Sequence, residues 1–211
     1  MAKREKEKSK SGRNIGPIPP VEDPERKALC ERSLTNYQKN YYPKDFYLEE
    51  SPDHARVIAL VQSACLFGMV QAVAMPRGFG KSTICQTAAE WSANFGHHLY
   101  QMLLAANAQK ATEILDIMRM DYETNELLLA DFPEICFPIM QLERVANRAK
   151  GQTHNGAPTY MSWSGDRLIL PTIPGSAASG VVICVAGLQE AVRGSLMFHP
   201  VMKRRIRPTF V

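Results

Sequence analysis

The run Met75-Pro76-Arg77-Gly78-Phe79-Gly80-Lys81-Ser82-Thr83 holds a dense set of groups suited to phosphate chemistry. Gly-x-x-x-x-Gly-Lys-Ser/Thr, after a strand and before a helix, is the pattern of a phosphate-wrapping loop. Gly78 and Gly80 let the backbone curl so that its N–H groups face the anion. Lys81 supplies a mobile cation for the β- and γ-phosphates, and the Ser82 hydroxyl is a ligand for Mg²⁺. The following helix adds partial positive charge at its N-terminus. Pro76, Arg77, Gly78, Phe79, Gly80, Lys81, Ser82 and Thr83 are therefore the expected cradle for ATP and Mg²⁺. Met75 stands where the pattern has its first Gly, so the loop is a variant whose approach Pro76-Arg77 stiffens. The competing reading is a chance Gly-x-Gly-Lys-Ser in an ordinary turn. Arg77 is either a second catalytic cation beside Lys81, acting as arginine fingers do, or half of a structural ion pair.

Such a loop needs elements that position it, and the flanking sequence predicts them. Ser51-Pro52-Asp53 reads as a helix start, with a Ser N-cap and Pro at the first helical position. The helix runs to about Phe67, buries Val57, Ile58, Leu60, Val61 and Ala64, and stops at Gly68. Met69 to Met75 is an apolar run that predicts a buried strand. Helix is expected again from Lys81 to Phe95, closed by Gly96. A strand over 99–106 and a helix over 108–128 follow, then a turn over 131–138, a helix over about 139–149 and a loop over 150–165. Strands are expected at 167–170 and 181–186, and one further helix at 24–40. The predicted class is α/β: a P-loop NTPase of recA-like type, with a largely parallel sheet, helices on both faces and an incomplete C-terminal end.

A nucleoside triphosphatase also needs a carboxylate for Mg²⁺ and a group that orients water. Leu127-Leu128-Leu129-Ala130-Asp131 is a superficial match to an apolar strand ending in an acid. It continues a helix-favouring run and lacks β-branched residues, so it is rejected. Arg204, Arg205, Arg207 and Pro208 lead into Thr209-Phe210-Val211, which reads as the start of a buried strand. The expectation is that the frame continues into apolar residues and two acids.

Composition sets wider bounds. The chain has 211 residues and a net charge of +4, mildly basic and compatible with a nucleic-acid partner. Residues 1–24 read as a basic, then Pro-rich, disordered tail; residues 25–211 read as the ATPase domain. The tail is either a solubilising leader or a non-specific phosphate contact. Arg144, Arg148 and Lys150, and the cluster from Lys203 to Arg207, are either phosphate contacts or a solvated face. The five cysteines form no Cys-x-x-Cys pair, so a zinc site is not expected. Cys85 and Cys184 read as reduced core residues, which places the chain in a reducing cytoplasm. No apolar run reaches the ~18 residues of a membrane span, so no membrane partner is expected.

Several stretches together resemble the large terminase subunit, the DNA-packaging motor of tailed bacteriophages and prophages. They are Ser51-Pro52-Asp53-His54, Ala74 to Thr83, Ala105-Ala106-Asn107-Ala108-Gln109-Lys110-Ala111, Asp131-Phe132-Pro133-Glu134, and Gly187 to Gly194 followed by Arg207-Pro208. They occur in the family's order, and the resemblance spans about residues 25–211. It implies an ATPase that drives double-stranded DNA into a procapsid. It implies a homo-oligomeric ring at the portal protein, a small terminase subunit as partner, and a C-terminal nuclease domain that lies outside these residues. By the same resemblance Lys81 and Ser82 hold phosphate and Mg²⁺. Arg193 either contacts a neighbour's nucleotide or forms an ion pair. Asn107 and Gln109 either touch phosphate or water, or, for Asn107, cap a helix. Without the acidic motif these residues are expected to bind ATP poorly or not to hydrolyse it. Two other readings remain: a different P-loop translocase such as a helicase, and a non-catalytic prophage remnant.

Overall fold

Helix α1 spans Pro24–Glu31 and α2 spans Leu34–Tyr41. The single helix expected over 24–40 is broken because Ser33 caps α2, its side chain accepting from the Asn36 N–H. Residues 13–23 form no helix and lie on the body: the Ile15 N–H donates to the Thr153 carbonyl and the Glu22 N–H to the Ala130 carbonyl. The computed structural model describes residues 13–189, 195–199 and 201–209.

Helix α3, Pro52–Phe67, begins and ends where its punctuation demands. Ser51 accepts from the His54 N–H, and Gly68 takes the left-handed conformation at the C-cap. Its buried stripe is narrower than expected, with Ile58 and Cys65 fully buried and Val57 and Val61 packed against the core.

Helix α4, Lys81–Asn94, is the hub of the core. From Thr87 to Asn94 every residue is buried, the pattern of a helix enclosed on all sides. Several of its polar groups bond to its neighbours, while the buried Ser92 hydroxyl finds no partner among the described residues. Trp91 Nε1 donates to the Cys30 carbonyl at 2.9 Å, and Asn94 Nδ2 to the Tyr37 hydroxyl at 2.8 Å. The Tyr122 hydroxyl donates to Asn94 Oδ1 at 2.8 Å. Strand β1, Tyr100–Ala105, follows, and then α5, Ala108–Thr124. Asn107 caps α5 through Lys110 N–H, which realises the capping alternative.

The run 127–131 is helical, as its composition predicts, within α6, Glu126–Asp131. Asp131 is buried and bound by Arg26 (Nε 2.6 Å, Nη2 2.9 Å), the Tyr41 hydroxyl (2.6 Å) and the Asp23 N–H (3.1 Å). Burial pushes its carboxyl up, but these donors outweigh burial and hold it below the usual carboxylate range. Asp131 therefore ties the N-terminal helices to the body. The expected turn over 131–138 is instead helix α7, Pro133–Met140. Pro133 sits at its first position, where a missing N–H costs nothing. The expected helix over 139–149 is absent. Glu143 and Arg144 adopt left-handed backbone conformations, and only a 3-10 turn, Ala146–Ala149, follows.

The remaining strands are β2 (Thr153–His154), β3 (Ala157–Pro158), β4 (Ser162–Ser164), β5 (Arg167–Ile169), β6 (Val182–Gly187), β7 (Met197–His199) and β8 (Arg204–Ile206). The main sheet has the order β1-β6-β5-β4. β1 and β6 are parallel, with Tyr100 opposite Val182, whereas β6-β5 and β5-β4 are antiparallel. β2-β3 and β7-β8 form small antiparallel ribbons.

This arrangement corrects the expected largely parallel P-loop sheet. The protein is a mixed α/β structure with short strands and, among the described strands, one parallel pair. Two physical causes stand out. Gly165 and Asp166 join β4 and β5 as a two-residue hairpin, a connection that only antiparallel strands can use. The run 69–75 makes no strand: it pairs with no other described strand and is largely exposed, with Val70 99% accessible. Apolar composition favours burial but does not supply a pairing edge. Cys85 is also corrected. It lies exposed on α4, while Cys30, Cys65 and Cys136 are the buried thiols and Cys184 is half-buried. Of the strand expected at 209–211, only Thr209 lies within the described residues; its N–H donates to the Tyr100 carbonyl at 3.0 Å.

Candidate nucleotide site

The loop from Met75 to Thr83 connects the exposed 69–75 segment to the buried helix α4. Gly78 (φ 82°) and Gly80 (φ 71°) are both left-handed, which lets the chain reverse onto the helix without Cβ strain. α4 has no side-chain N-cap. The Ile84 N–H is bonded to the Gly80 carbonyl at 3.0 Å. The N–H groups of Lys81, Ser82 and Thr83 precede that bond and are the ones an α-helix leaves without an intrahelical acceptor. The motif thus presents uncapped donors at the positive end of a rigidly held helix.

Lys81 folds back over the loop. Its Nζ donates to the Met75 carbonyl at 2.6 Å and the Pro76 carbonyl at 2.8 Å. These neutral acceptors keep the ammonium beside the curl, where an anion would compete for it. Ser82 is exposed and Thr83 half-buried. Arg77 is exposed and forms no ion pair with another described residue. The structural-pair alternative for Arg77 therefore finds no support among the described residues. Arg193 lies outside them. Gln109 is exposed on α5.

His54 is the site residue that sequence reasoning missed. Its ring stacks on Phe79, with centroids 4.8 Å apart and planes 14° from parallel. Nε2 lies 3.1 Å from the Phe79 carbonyl and Nδ1 lies 2.9 Å from Ser51 Oγ. The first turn of α3 therefore clamps the middle of the loop. The sequence placed His54 three residues after a helix cap and within a stretch that resembles the terminase family, and nothing local announced its partner 25 residues away. Beside this clamp lies a cleft of ≈ 260 Å³ lined by Asp45, Phe46, Leu48, His54, Phe79 and Thr83, among others.

A second polar cluster lies behind the site. Glu90 on α4 is buried, accepts from the Tyr42 hydroxyl and from Gln86 Nε2, and is coupled by hydrogen bonding to Asp121 on α5. Burial pushes Glu90 well above the carboxylate range and, to a lesser extent, Asp121 to about 6. This pair braces the motif helix and does not reach the loop's donors. Among the described residues no group of three or more His, Cys, Asp or Glu is placed to hold a metal ion. No described helix is long and apolar enough to cross a membrane.

Comparison with protein-family models, with curated proteins and with solved structures returns no match. The fold and the loop geometry stand on the chain's own residues.

Proposed function

We propose that residues 75–83 bind the phosphates of a nucleoside triphosphate, ATP with Mg²⁺, and that the chain is the nucleotide-gripping part of a large terminase subunit. The observation that carries the nucleotide reading is the loop itself. Two left-handed glycines deliver Lys81 and three uncapped N–H groups to the N-terminus of the core helix. That is the arrangement an anionic oxygen cluster completes. Ser82, exposed at the second helical position, is suited to place its hydroxyl on a phosphate-bound Mg²⁺. Arg77, which pairs with no acid among the described residues, supplies a second cation to the same anion. Work on double-stranded DNA, a ring at a portal and a small-subunit partner rest on the resemblance of the ordered motifs to the terminase family.

The test is a titration of the protein with a fluorescent ATP analogue and Mg²⁺. Wild type should bind saturably, inorganic triphosphate should compete, and Lys81→Ala should lose binding at least tenfold. Retained affinity in Lys81→Ala would show that the nucleotide sits elsewhere. A helicase-like translocase would share this loop, so stimulation of ATP turnover in a version extended to full length by procapsid-bound portal, rather than by nucleic acid alone, favours the packaging motor.

A further inference from the structure

The basic cluster from Lys203 to Arg207 lies on the β7–β8 ribbon and takes no part in the phosphate loop. Between Ser195 and Thr209 the sequence holds four cations, Lys203, Arg204, Arg205 and Arg207, and no acid. All four are exposed, and none forms an ion pair with another described residue. The ribbon has one face turned inward. Met197 and Ile206, opposite each other in the register, pack against Tyr100, Met102 and Val182 of the main sheet. Side chains opposite each other across an antiparallel pair share a face, and the next pair along points the other way. Phe198 and Arg205 are that next pair, so they share the outer face. Phe198 is 60% exposed there, although an aromatic ring gains most by burial. Leu196 and Arg207, one residue beyond the paired strands, are exposed as well.

The tip of the ribbon is apolar and held in shape. Val201 and Met202 are both exposed. The buried His199 fixes the turn: its Nδ1 accepts from the Met202 N–H at 3.1 Å and its carbonyl accepts from the Lys203 N–H at 2.9 Å. Lys203 is kept in a left-handed conformation (φ 49°), an uncommon choice for a residue with a Cβ. The exposed side chains of the tip therefore stand on a defined backbone.

Apolar and cationic groups alternate across this face at about 5 Å, the spacing of cross-strand neighbours. A bare phosphate backbone satisfies the cations and leaves Phe198, Val201 and Met202 in water. A purely apolar groove does the reverse and strips the arginines of water at a cost. The boundary of an anionic bilayer offers headgroup phosphates and acyl chains side by side, and arginine stems lie along apolar neighbours while their heads stay polar. The ribbon is also an outer strip rather than a cleft, which a fluid surface can follow without matching each side chain. We infer that the outer face and tip of the β7–β8 ribbon are an interfacial anchor for an anionic lipid bilayer, with Phe198, Val201 and Met202 entering the acyl boundary and Lys203, Arg205 and Arg207 meeting the headgroups. The expectation of no membrane partner rests on the length of apolar runs, which bears on a span and not on a ribbon lying at the surface. The anchor is independent of what the phosphate loop binds.

The test is co-sedimentation of the full chain with vesicles of phosphatidylcholine containing phosphatidylserine, against vesicles of phosphatidylcholine alone. Wild type should partition onto the anionic vesicles and bind them less as salt rises. Each cation near an anionic leaflet is worth about fivefold in partition, so Arg205→Gln/Arg207→Gln should lose roughly 25-fold. Phe198→Ser should lose roughly tenfold. Arg32→Gln/Lys150→Gln removes the same charge from two exposed, unpaired residues elsewhere and should bind as wild type. All these side chains are exposed, so each variant should melt with wild type. Phe198→Trp places a reporter on the outer face. Its emission should shift to the blue with anionic vesicles and stay unchanged with phosphatidylcholine alone. Equal binding to both kinds of vesicle would overturn the inference, as would a loss equalled by Arg32→Gln/Lys150→Gln or the absence of the blue shift. Full binding by Phe198→Ser would overturn it too, because only adsorption of charge would remain. Displacement from the vesicles by polyglutamate or by an oligonucleotide at equal charge would assign the face to an acidic protein or a nucleic acid instead.

Discussion

Removing the His54 side chain should weaken nucleotide binding while leaving the fold nearly intact. The ring contributes an aromatic stack on Phe79 and a hydrogen bond to the Phe79 carbonyl. The stack is worth about 1 kcal/mol and the hydrogen bond about 1 kcal/mol net. Together they bias the loop toward its curled state by about 2 kcal/mol, and losing that bias raises an apparent Kd by at most about thirtyfold. Water replaces part of the lost bond in His54→Ala, so an effect of about tenfold is expected. His54→Phe keeps the stack and should fall between that variant and wild type. The helix should not unravel, because Ser51 Oγ caps the backbone N–H of residue 54, a contact that survives the substitution. The assay is titration with a fluorescent ATP analogue and Mg²⁺, read beside thermal melting of each variant. If His54→Ala binds within twofold of wild type while Lys81→Ala is impaired, the clamp plays no part in shaping the loop. If His54→Ala melts many degrees early, its role is structural.

Asp121→Asn should change how stability depends on pH. Burial raises the Asp121 carboxyl to about 6 in the folded protein, above its ordinary value of about 3.9. The folded state therefore holds this proton more tightly, and the stability it confers is complete below about pH 4 and lost as pH rises through about 6. The shift corresponds to about 3 kcal/mol, or roughly 2 after allowing for screening on its solvent side. Urea unfolding followed by the fluorescence of buried Trp91 should show that difference shrink in the variant between pH 4 and 7, and parallel curves would refute it. Asp131→Asn acts with the opposite sign. Its carboxyl is held low by Arg26 and Tyr41, so its contribution is present above about pH 4 and fades as pH falls. Substitution should cost about 2–4 kcal/mol at pH 7 because Arg26 loses its charged partner. A loss under 1 kcal/mol in the same unfolding assay would show that the N-terminal helices are held by packing alone.

Adjacent residues show how local and distant information divide. Tyr41 and Tyr42 are neighbours, yet Tyr41 bonds Asp131 and Tyr42 bonds Glu90. The sequence identifies two half-polar aromatics at a helix end and nothing about which carboxylate each will meet. Glu90 reads as one more polar position on a helix, and only enclosure of α4 by its neighbours turns it into a buried acid. The proline turn over 131–138 failed because Pro both ends helices and begins them. The choice fell to the packing of Ile135, Cys136 and Ile139 into the core.

What the sequence determined by itself is local. Ser51, Asn107 and Gly68 mark helix ends through hydrogen bonds and backbone freedom that lie within a few residues; Ser51 and Gly68 act as expected, and Asn107 takes the capping one of its two alternatives. The left-handed positions of the loop follow from Gly78 and Gly80 in the same way. Tertiary structure decided whatever depends on a partner far along the chain. It left the apolar run 69–75 unpaired, closed the sheet with a hairpin and exposed Cys85. It laid His54 on Phe79. Caps and turns are short-range contacts whose partners are already held near by the chain. Strand pairing, burial and charge clusters depend on which distant surfaces meet, and composition alone does not specify that meeting.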